Sequence, residues 1–423
     1  MPEKPRGRRG ARLPRSLAAL RHRNYRLLFF AQMIAQCGYW MQATAQGWLV
    51  LRLTDSPFWL GTIAFAQSLP VLLLALPGGT LADRLPKRTL LLCTQAVAMA
   101  SALTLAGLTL SGAVQVWHVL AAALVVGSVA ALEGPARQSF TIELVGRADL
   151  MNAIALDSLV LNGARIVGPA AAGMLAAAIG EGPAFLMNGL SILAVIAGLL
   201  MMRLGPFQAP PRRSGLDQLR EGLGYIRSEP KVRLMLLQMG VLCVFGLAYI
   251  PLLPYFARNV LGGDARGYGL LASTNAVGAL SAALMIAVLG ERLPRVRLRS
   301  VALLSYSLLL GGFTLTRSFP PAMLLIAAVG WAGITSLTLS NTLLQIVVPD
   351  ELRGRVMSVY TLMIMGVSQL SGVMLSGLAE LVGDVPLTVG CWAAVGWFLQ
   401  LLVHATHSRV RLEPGPAPVT ARS

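Results

Sequence analysis

Leu81-Ala82-Asp83-Arg84-Leu85-Pro86-Lys87-Arg88 returns, little altered, as Leu289-Gly290-Glu291-Arg292-Leu293-Pro294-Arg295. Each copy follows an apolar run long enough to cross a bilayer, and a second pair of segments, 145–153 and 348–356, matches in the same way. Acidic-basic loops at corresponding places mark a duplicated unit. In membrane transporters, paired units of this kind enclose a central site and rock against each other.

Around these loops the chain is greasy. Of its 423 residues 55% are hydrophobic and 13% charged, with a mean hydropathy of +0.67, too apolar for one soluble core of that size. Runs able to cover a hydrocarbon core of roughly 30 Å fall at 27–51, 58–81, 90–110, 116–136, 152–179 and 184–202. A second set falls at 234–256, 268–289, 300–316, 322–347, 356–382 and 387–403. They predict an all-α polytopic membrane protein with 12 transmembrane helices in two pseudo-symmetric six-helix bundles. The expected organisation is a basic segment 1–26, a bundle 27–202, a linker 203–233 rich in Pro and Arg, a bundle 234–406 and a tail 407–423.

A net charge of +17 would suggest nucleic acid if it were spread over a globular surface, but here the cations sit between apolar runs. Counted on alternate sides of the expected spans, 30 Lys and Arg fall on one side and 4 on the other, while Arg165 lies within a span. The positive-inside rule then places both termini and the linker in the cytoplasm of a bacterium. The basic stretch from Lys4 to Arg26 leads into the first span with no small-residue cleavage site behind it, and reads as a retained anchor. The four cysteines, Cys37, Cys93, Cys243 and Cys391, lie in apolar runs and predict no disulfide framework.

Gly79-Thr80-Leu81-Ala82-Asp83-Arg84-Leu85-Pro86-Lys87-Arg88 resembles the loop signature of the major facilitator superfamily, G-x-L-A-D-R-x-G-R-K, with Pro86 in place of the second glycine. The resemblance implies a gating role for Gly79, Asp83, Arg84, Lys87 and Arg88, with Glu291, Arg292, Arg353 and Arg355 as second-half counterparts. Ala164-Arg165-Ile166-Val167-Gly168-Pro169-Ala170-Ala171-Ala172-Gly173 is similar to the superfamily's antiporter motif, with Ala164 and Ala172 replacing two glycines, so Gly168, Pro169 and Gly173 point to export. Small-residue packing alone would also account for it. A longer string, Pro135-Ala136-Arg137-Gln138 through Asn152-Ala153 and then Asn162-Gly163-Ala164-Arg165-Ile166-Val167-Gly168-Pro169, resembles, with three others, the enterobactin-exporter-like branch, which includes siderophore exporters and macrolide efflux pumps. The three are Leu20-Arg21-His22-Arg23-Asn24-Tyr25-Arg26, Leu53-Thr54-Asp55-Ser56-Pro57 and Pro349-Asp350-Glu351-Leu352-Arg353-Gly354-Arg355.

A charge inside a bilayer costs about 2.5 to 3.5 kcal/mol at a helix centre on insertion scales, so those retained have a purpose. Glu133 and Arg137 are spaced to pair on one helix face, and Ser158, Asn162 and Arg165 form a polar stripe with Asp157 beside it. Glu133 and Asp157 are candidate proton carriers, with Arg137 and Arg165 as the charges that tune them. A permanent ion pair tying the fourth and fifth helices together reads the same residues equally well. By resemblance the first span lines a cavity, making Gln32, Gln36, Tyr39 and Gln46 candidate substrate contacts, and Tyr249, Asn275, Asn341, Gln345 and Gln369 extend the set into the second half. Helix-to-helix hydrogen bonding is the commoner role for such amides.

None of the three lysines is followed by Ser or Thr, so no P-loop exists, and no His or Cys spacing suits zinc. The expectation is therefore a transporter and not an enzyme, with no metal and no cofactor, the proton gradient being its energy source. Its partners are a small-molecule substrate and the lipid bilayer, with no nucleic acid, and it is expected to act as a monomer. The activity expected is export of an amphipathic siderophore-like or drug-like molecule by proton antiport. The alternatives are an uptake permease of the same fold and a membrane scaffold or sensor that transports nothing.

Overall fold

The computed structural model describes residues 15–203, 224–290 and 292–407, with the side chains of 15–16, 75–84 and 406–407 outside that description. Helices account for nearly all of it, because a chain in lipid must satisfy its backbone within each segment. In order they are α1 (Arg23–Thr54), α2 (Pro57–Arg84), α3 (Lys87–Leu110), α4 (Val116–Ile179) and α5 (Gly182–Met201). The second half holds α6 (Pro230–Val260), α7 (Ala265–Leu289), α8 (Arg295–Leu315), α9 (Phe319–Val347), α10 (Asp350–Val382) and α11 (Val385–His407).

Ten of these, α2 to α11, are long and apolar enough to cross a membrane, where the sequence predicts twelve spans. Part of the difference is α1, whose glutamines Gln32, Gln36, Gln42 and Gln46 lower its hydropathy. The rest is α4, whose 64 residues carry both the fourth and the fifth expected spans. At 1.5 Å per residue such a helix would reach roughly 96 Å, three times a hydrocarbon core. It does not run straight, because Gly146 adopts φ 69° and ψ 174°, a conformation open to glycine, and the chain turns there. The loop expected between the two spans is thus helical on either side of one residue.

Helix α6 is broken differently. Residues 242–246 and 256–260 are π-helical and 247–252 are 3₁₀, bracketing Pro251 and Pro254, which remove backbone donors. A π-helical turn at 363–367 interrupts α10.

Packing follows the duplication. In the first half α4 lies against α1, α2 and α3, and α5 against α1 and α3; in the second, α9 packs on α7 and α8, and α11 on α8. Two seams join the halves, α4 with α7 and α2 with α10. Both depend on small residues, which let backbones approach. A Cβ on Gly173 would lie 2.5 Å from the Ala265 carbonyl oxygen, and one on Gly269 would lie 2.4 Å from that of Pro169. On the other seam, a Cβ on Gly61 would lie 2.6 Å from Ser376 Oγ.

Polar contacts between the halves gather at the end of the bundle opposite the basic loops. Arg258 reaches Asp55 at 3.4 Å, and Glu380 Oε2 accepts from the Phe58 amide at 2.9 Å and from the Ser56 hydroxyl. Nearby, the rings of Trp48 and Tyr268 stack with centroids 6.4 Å apart.

Candidate functional site

Helical periodicity places Gln32, Gln36 and Tyr39 on one face of α1, with Trp40 beside them. Opposite stand two stretches of α4, brought to the same place by the turn at Gly146: Glu133, Gly134 and Arg137 before it, Ile154, Asp157 and Leu161 after it. Between them lie two adjoining hollows of about 450 Å³ and 440 Å³, which share Gln32, Gln36, Gly134, Arg137 and Leu161. The larger reaches Leu28 and Leu150, close in sequence to the basic Arg26 and Arg147, so the cleft extends to the basic end. Among the described residues, Met365 on α10 is the second half's contribution to these walls.

Arg137 is the centre of the charges. Its Nη1 donates to Gln32 Oε1 at 3.1 Å and lies 3.8 Å from Glu133 Oε1, and its field also reaches Asp157. Gln95 lines the same hollow as Glu133. Asp157 Oδ1 is 2.9 Å from the hydroxyl oxygen of Tyr25, which is fully buried and also lies 3.0 Å from the Ala153 carbonyl oxygen. Arg137 thus pairs with Glu133 and lines the same hollow as Asp157. Among the described residues no three His, Cys, Asp or Glu gather as a metal site.

Arg165 does not join this group. Eight residues past Asp157, or about 12 Å along a helix, its guanidinium carbon sits 5.3 Å from the centroid of the Trp40 ring, and its electrostatic neighbour is Tyr249 on α6. The polar stripe expected on α4 divides accordingly. Ser158 lines the larger hollow, whereas the Asn162 amide donates to the Ser158 carbonyl oxygen at 2.8 Å, a bond within its own helix.

The remaining candidates scatter. Gln32, Gln36 and Tyr39 line the cleft, Tyr39 accepting from Gln67 at 3.2 Å, while Gln46 is buried elsewhere in α1. In the second half Asn275 Nδ2 donates to Tyr249 Oη at 3.2 Å and to the Ile326 carbonyl at 3.1 Å, Gln345 donates to Asn341 Oδ1 at 2.5 Å, and Gln369 is half-buried. Of the gating residues, Lys87 pairs with Glu143, and Arg88 donates to the Leu200 carbonyl at 2.8 Å. Arg292 bonds through its backbone to Leu289, Arg353 pairs with Asp350, and Arg355 is half-buried. The side chains of Gly79, Asp83 and Arg84, and all of Glu291, lie outside the described residues. The antiporter-like segment holds two contacts at once. A Cβ on Gly168 would lie 2.6 Å from Trp40 Cβ, Gly173 meets α7, and Pro169 between them is buried.

Sequence reasoning overlooked Gln42, Gln95 and Asn188, which line the smaller hollow; Asn188 Nδ2 donates to Gln42 Oε1 at 2.7 Å. Isolated amides in apolar helices were the available signal. It also overlooked Ala265, Gly269 and Ser273, small residues every four positions that form the α7 side of a seam, where the Ser273 hydroxyl donates to the Ile166 carbonyl at 2.6 Å.

Known proteins supply the comparison. Residues 15–417 match the family described as transmembrane secretion effector. The multidrug efflux pump Tap of Mycobacterium tuberculosis is 28% identical over 79% of this chain and 82% of its own length. The enterobactin exporter EntS of Citrobacter koseri is 24% identical over 94% of this chain and 95% of its own. Among solved structures, an inward-facing, unoccupied bacterial homologue of the human lysosomal transporter Spinster superposes with a TM-score of 0.71 at 16% identity, covering 96% of this chain and 100% of that one.

Proposed function

Because this multi-pass membrane chain belongs to the transmembrane secretion effector family of the major facilitator superfamily, we propose that it exports an amphipathic small molecule across the bacterial cytoplasmic membrane by proton antiport. The observation that carries this reading is the cleft, where the Glu133–Arg137 pair and Asp157 stand beside amides and apolar walls. Its basic end is the cytoplasmic end, with both termini inside, so the cleft takes substrate from the cytoplasm while the clasp at Asp55, Arg258 and Glu380 seals the outside. The relatives' names, an efflux pump and an exporter, support the outward direction.

The coupling works by exclusive occupancy of one cleft. In the inward-open state Glu133 and Asp157 release their protons to the cytoplasm, and the substrate then fills the cleft beside them. When the halves rock and the outer clasp parts, the carboxylates take protons from outside and the substrate leaves. One charge moving through 100 mV yields about 2.3 kcal/mol, enough for uphill export of a small molecule. The protein acts as a monomer and needs no cofactor beyond the gradient.

Everted membrane vesicles test this. With respiration supplying the gradient, wild-type vesicles should accumulate members of a panel of amphipathic dyes in an uncoupler-sensitive way, and E133Q and D157N should abolish accumulation while inserting normally. If no dye of either charge sign accumulates, or if both variants transport as wild type, the proposal fails.

A further inference from the structure

Among the described residues, several intramembrane or near-membrane cations have an answering group. Arg137 has Glu133, Arg52 is held by Glu181 through bonds of 2.9 and 3.1 Å, and Arg258 has Asp55. The fully buried Arg299 has no acid but donates to Ser340 Oγ at 2.7 Å and to the Met235 carbonyl at 3.4 Å. Arg165, in the interior of α4, has an aromatic face and a neighbouring tyrosine, and no carboxylate pairs with it among the described residues. A cation–π contact is worth about 0.5 to 2 kcal/mol, less than the cost of keeping a guanidinium in a membrane.

Its position is informative. Trp40 belongs to the first half and lines the smaller hollow, and Tyr249 belongs to the second. The indole Nε1 of Trp40 is buried and has no hydrogen-bond partner among the described residues. A guanidinium without an anion therefore lies over the ring of Trp40, whose indole N–H has no acceptor, and Trp40 itself lines the smaller hollow with the apolar Ala35, Val129, Ile192 and Met365. Both groups only donate hydrogen bonds. What they lack is an acceptor carrying negative charge.

We infer that Arg165 and Trp40 form the subsite that docks the anionic group of the exported molecule, a carboxylate or comparable oxyanion on an apolar body. This deepens the export reading and rests on it. The carboxylate accepts from the Arg165 guanidinium and from Trp40 Nε1, while the body lies on the apolar wall. Arg137 stays with Glu133 and Asp157, so proton coupling and anion docking use different arginines. An amphipathic cation would leave Arg165 unanswered and is disfavoured.

The test reads equilibrium binding with no gradient. Wild-type protein in lipid nanodiscs is titrated with tritiated 2-naphthoate, and neutral 2-naphthamide and cationic 2-naphthylmethylamine are used as competitors. Naphthoate should bind at least about tenfold more tightly than either, a difference of roughly 1.4 kcal/mol. R165Q should lose that preference while its affinity for the amide changes less than about twofold, and R165K should retain part of it. W40F, which keeps the ring and removes the N–H, should weaken naphthoate about fivefold, the effect of one hydrogen bond of about 1 kcal/mol. The inference is overturned if wild type binds none of the three, if it does not favour naphthoate, or if R165Q binds naphthoate as wild type does. Should R165Q prove misfolded by gel filtration, R165K and W40F decide alone, and no loss of preference in either overturns it. Vesicle accumulation of neutral or cationic dyes without naphthoate preference would sink this inference and leave export standing; naphthoate binding without accumulation would do the reverse.

Discussion

The two halves share an origin and differ in what their polar groups do. In the first half Gln32, Gln36, Gln42, Gln95 and Asn188 border hollows, and the Glu133–Arg137 pair and Asp157 line them too. In the second half several comparable groups bond from helix to helix instead. Gln400 donates to the Gln238 carbonyl at 2.7 Å, Trp392 to that of Val244 at 2.8 Å, Tyr360 to that of Leu337 at 2.8 Å, and Asn275 links Tyr249 to Ile326. Satisfied helix-to-helix bonds stiffen a bundle, whereas amides facing a cavity are free to recognise a ligand. On the proposed reading the first half binds and couples, and the second serves as a wall that moves against it.

If the second half is a wall that must move, fixing it should have the largest effect. Ser376 Cβ lies 2.7 Å from where a Cβ on Gly61 would stand, so G61C/S376C, in a background with Cys37, Cys93, Cys243 and Cys391 replaced by serine, should cross-link after a small adjustment. Oxidation should reduce vesicle accumulation by roughly tenfold or more, because alternating access requires the seam to open, and reductant should restore it. Unimpaired transport by the oxidised protein would break the comparison. Next in size is Gln95→Ala, which takes a ligand-facing amide from the wall of the smaller hollow. Its half-saturating dye concentration should rise about fivefold, matching one hydrogen bond of about 1 kcal/mol. Smallest on transport is Asn275→Ala, whose effect should stay within about twofold. It should cost about 0.5 to 1.5 kcal/mol of stability through the lost bonds to Tyr249 and Ile326, read as a lower Tm in nanodiscs. A transport defect larger than that of Gln95→Ala would reverse the roles assigned to the halves.

Much of the site was legible because a membrane makes polar residues conspicuous. Glu133 with Arg137 follows from four-residue spacing, and the α1 face with Gln32, Gln36 and Tyr39 follows from helical period. What failed was the choice of partner. Asp157 and Arg165 sit on neighbouring faces of one helix, yet Tyr25 and Trp40 of α1 separate their roles. Arg299 counted as a loop cation, but α8 begins at Arg295, so it lies one turn inside and is fully buried.

Composition, the repeated loops and the period of the apolar runs by themselves determined a duplicated helical membrane protein, because lipid leaves a backbone few ways to satisfy its own hydrogen bonds. Tertiary structure alone decided that Gly146 folds α4 back on itself, that Asp157 meets Tyr25 while Arg137 pairs with Glu133, and that Arg165 lies over Trp40. The physical reason is that helical spacing states which residues share a face, whereas the rotation of each helix against its neighbours is set by packing among small residues distant in sequence, such as Gly168 against Trp40 and Gly173 against Gly269.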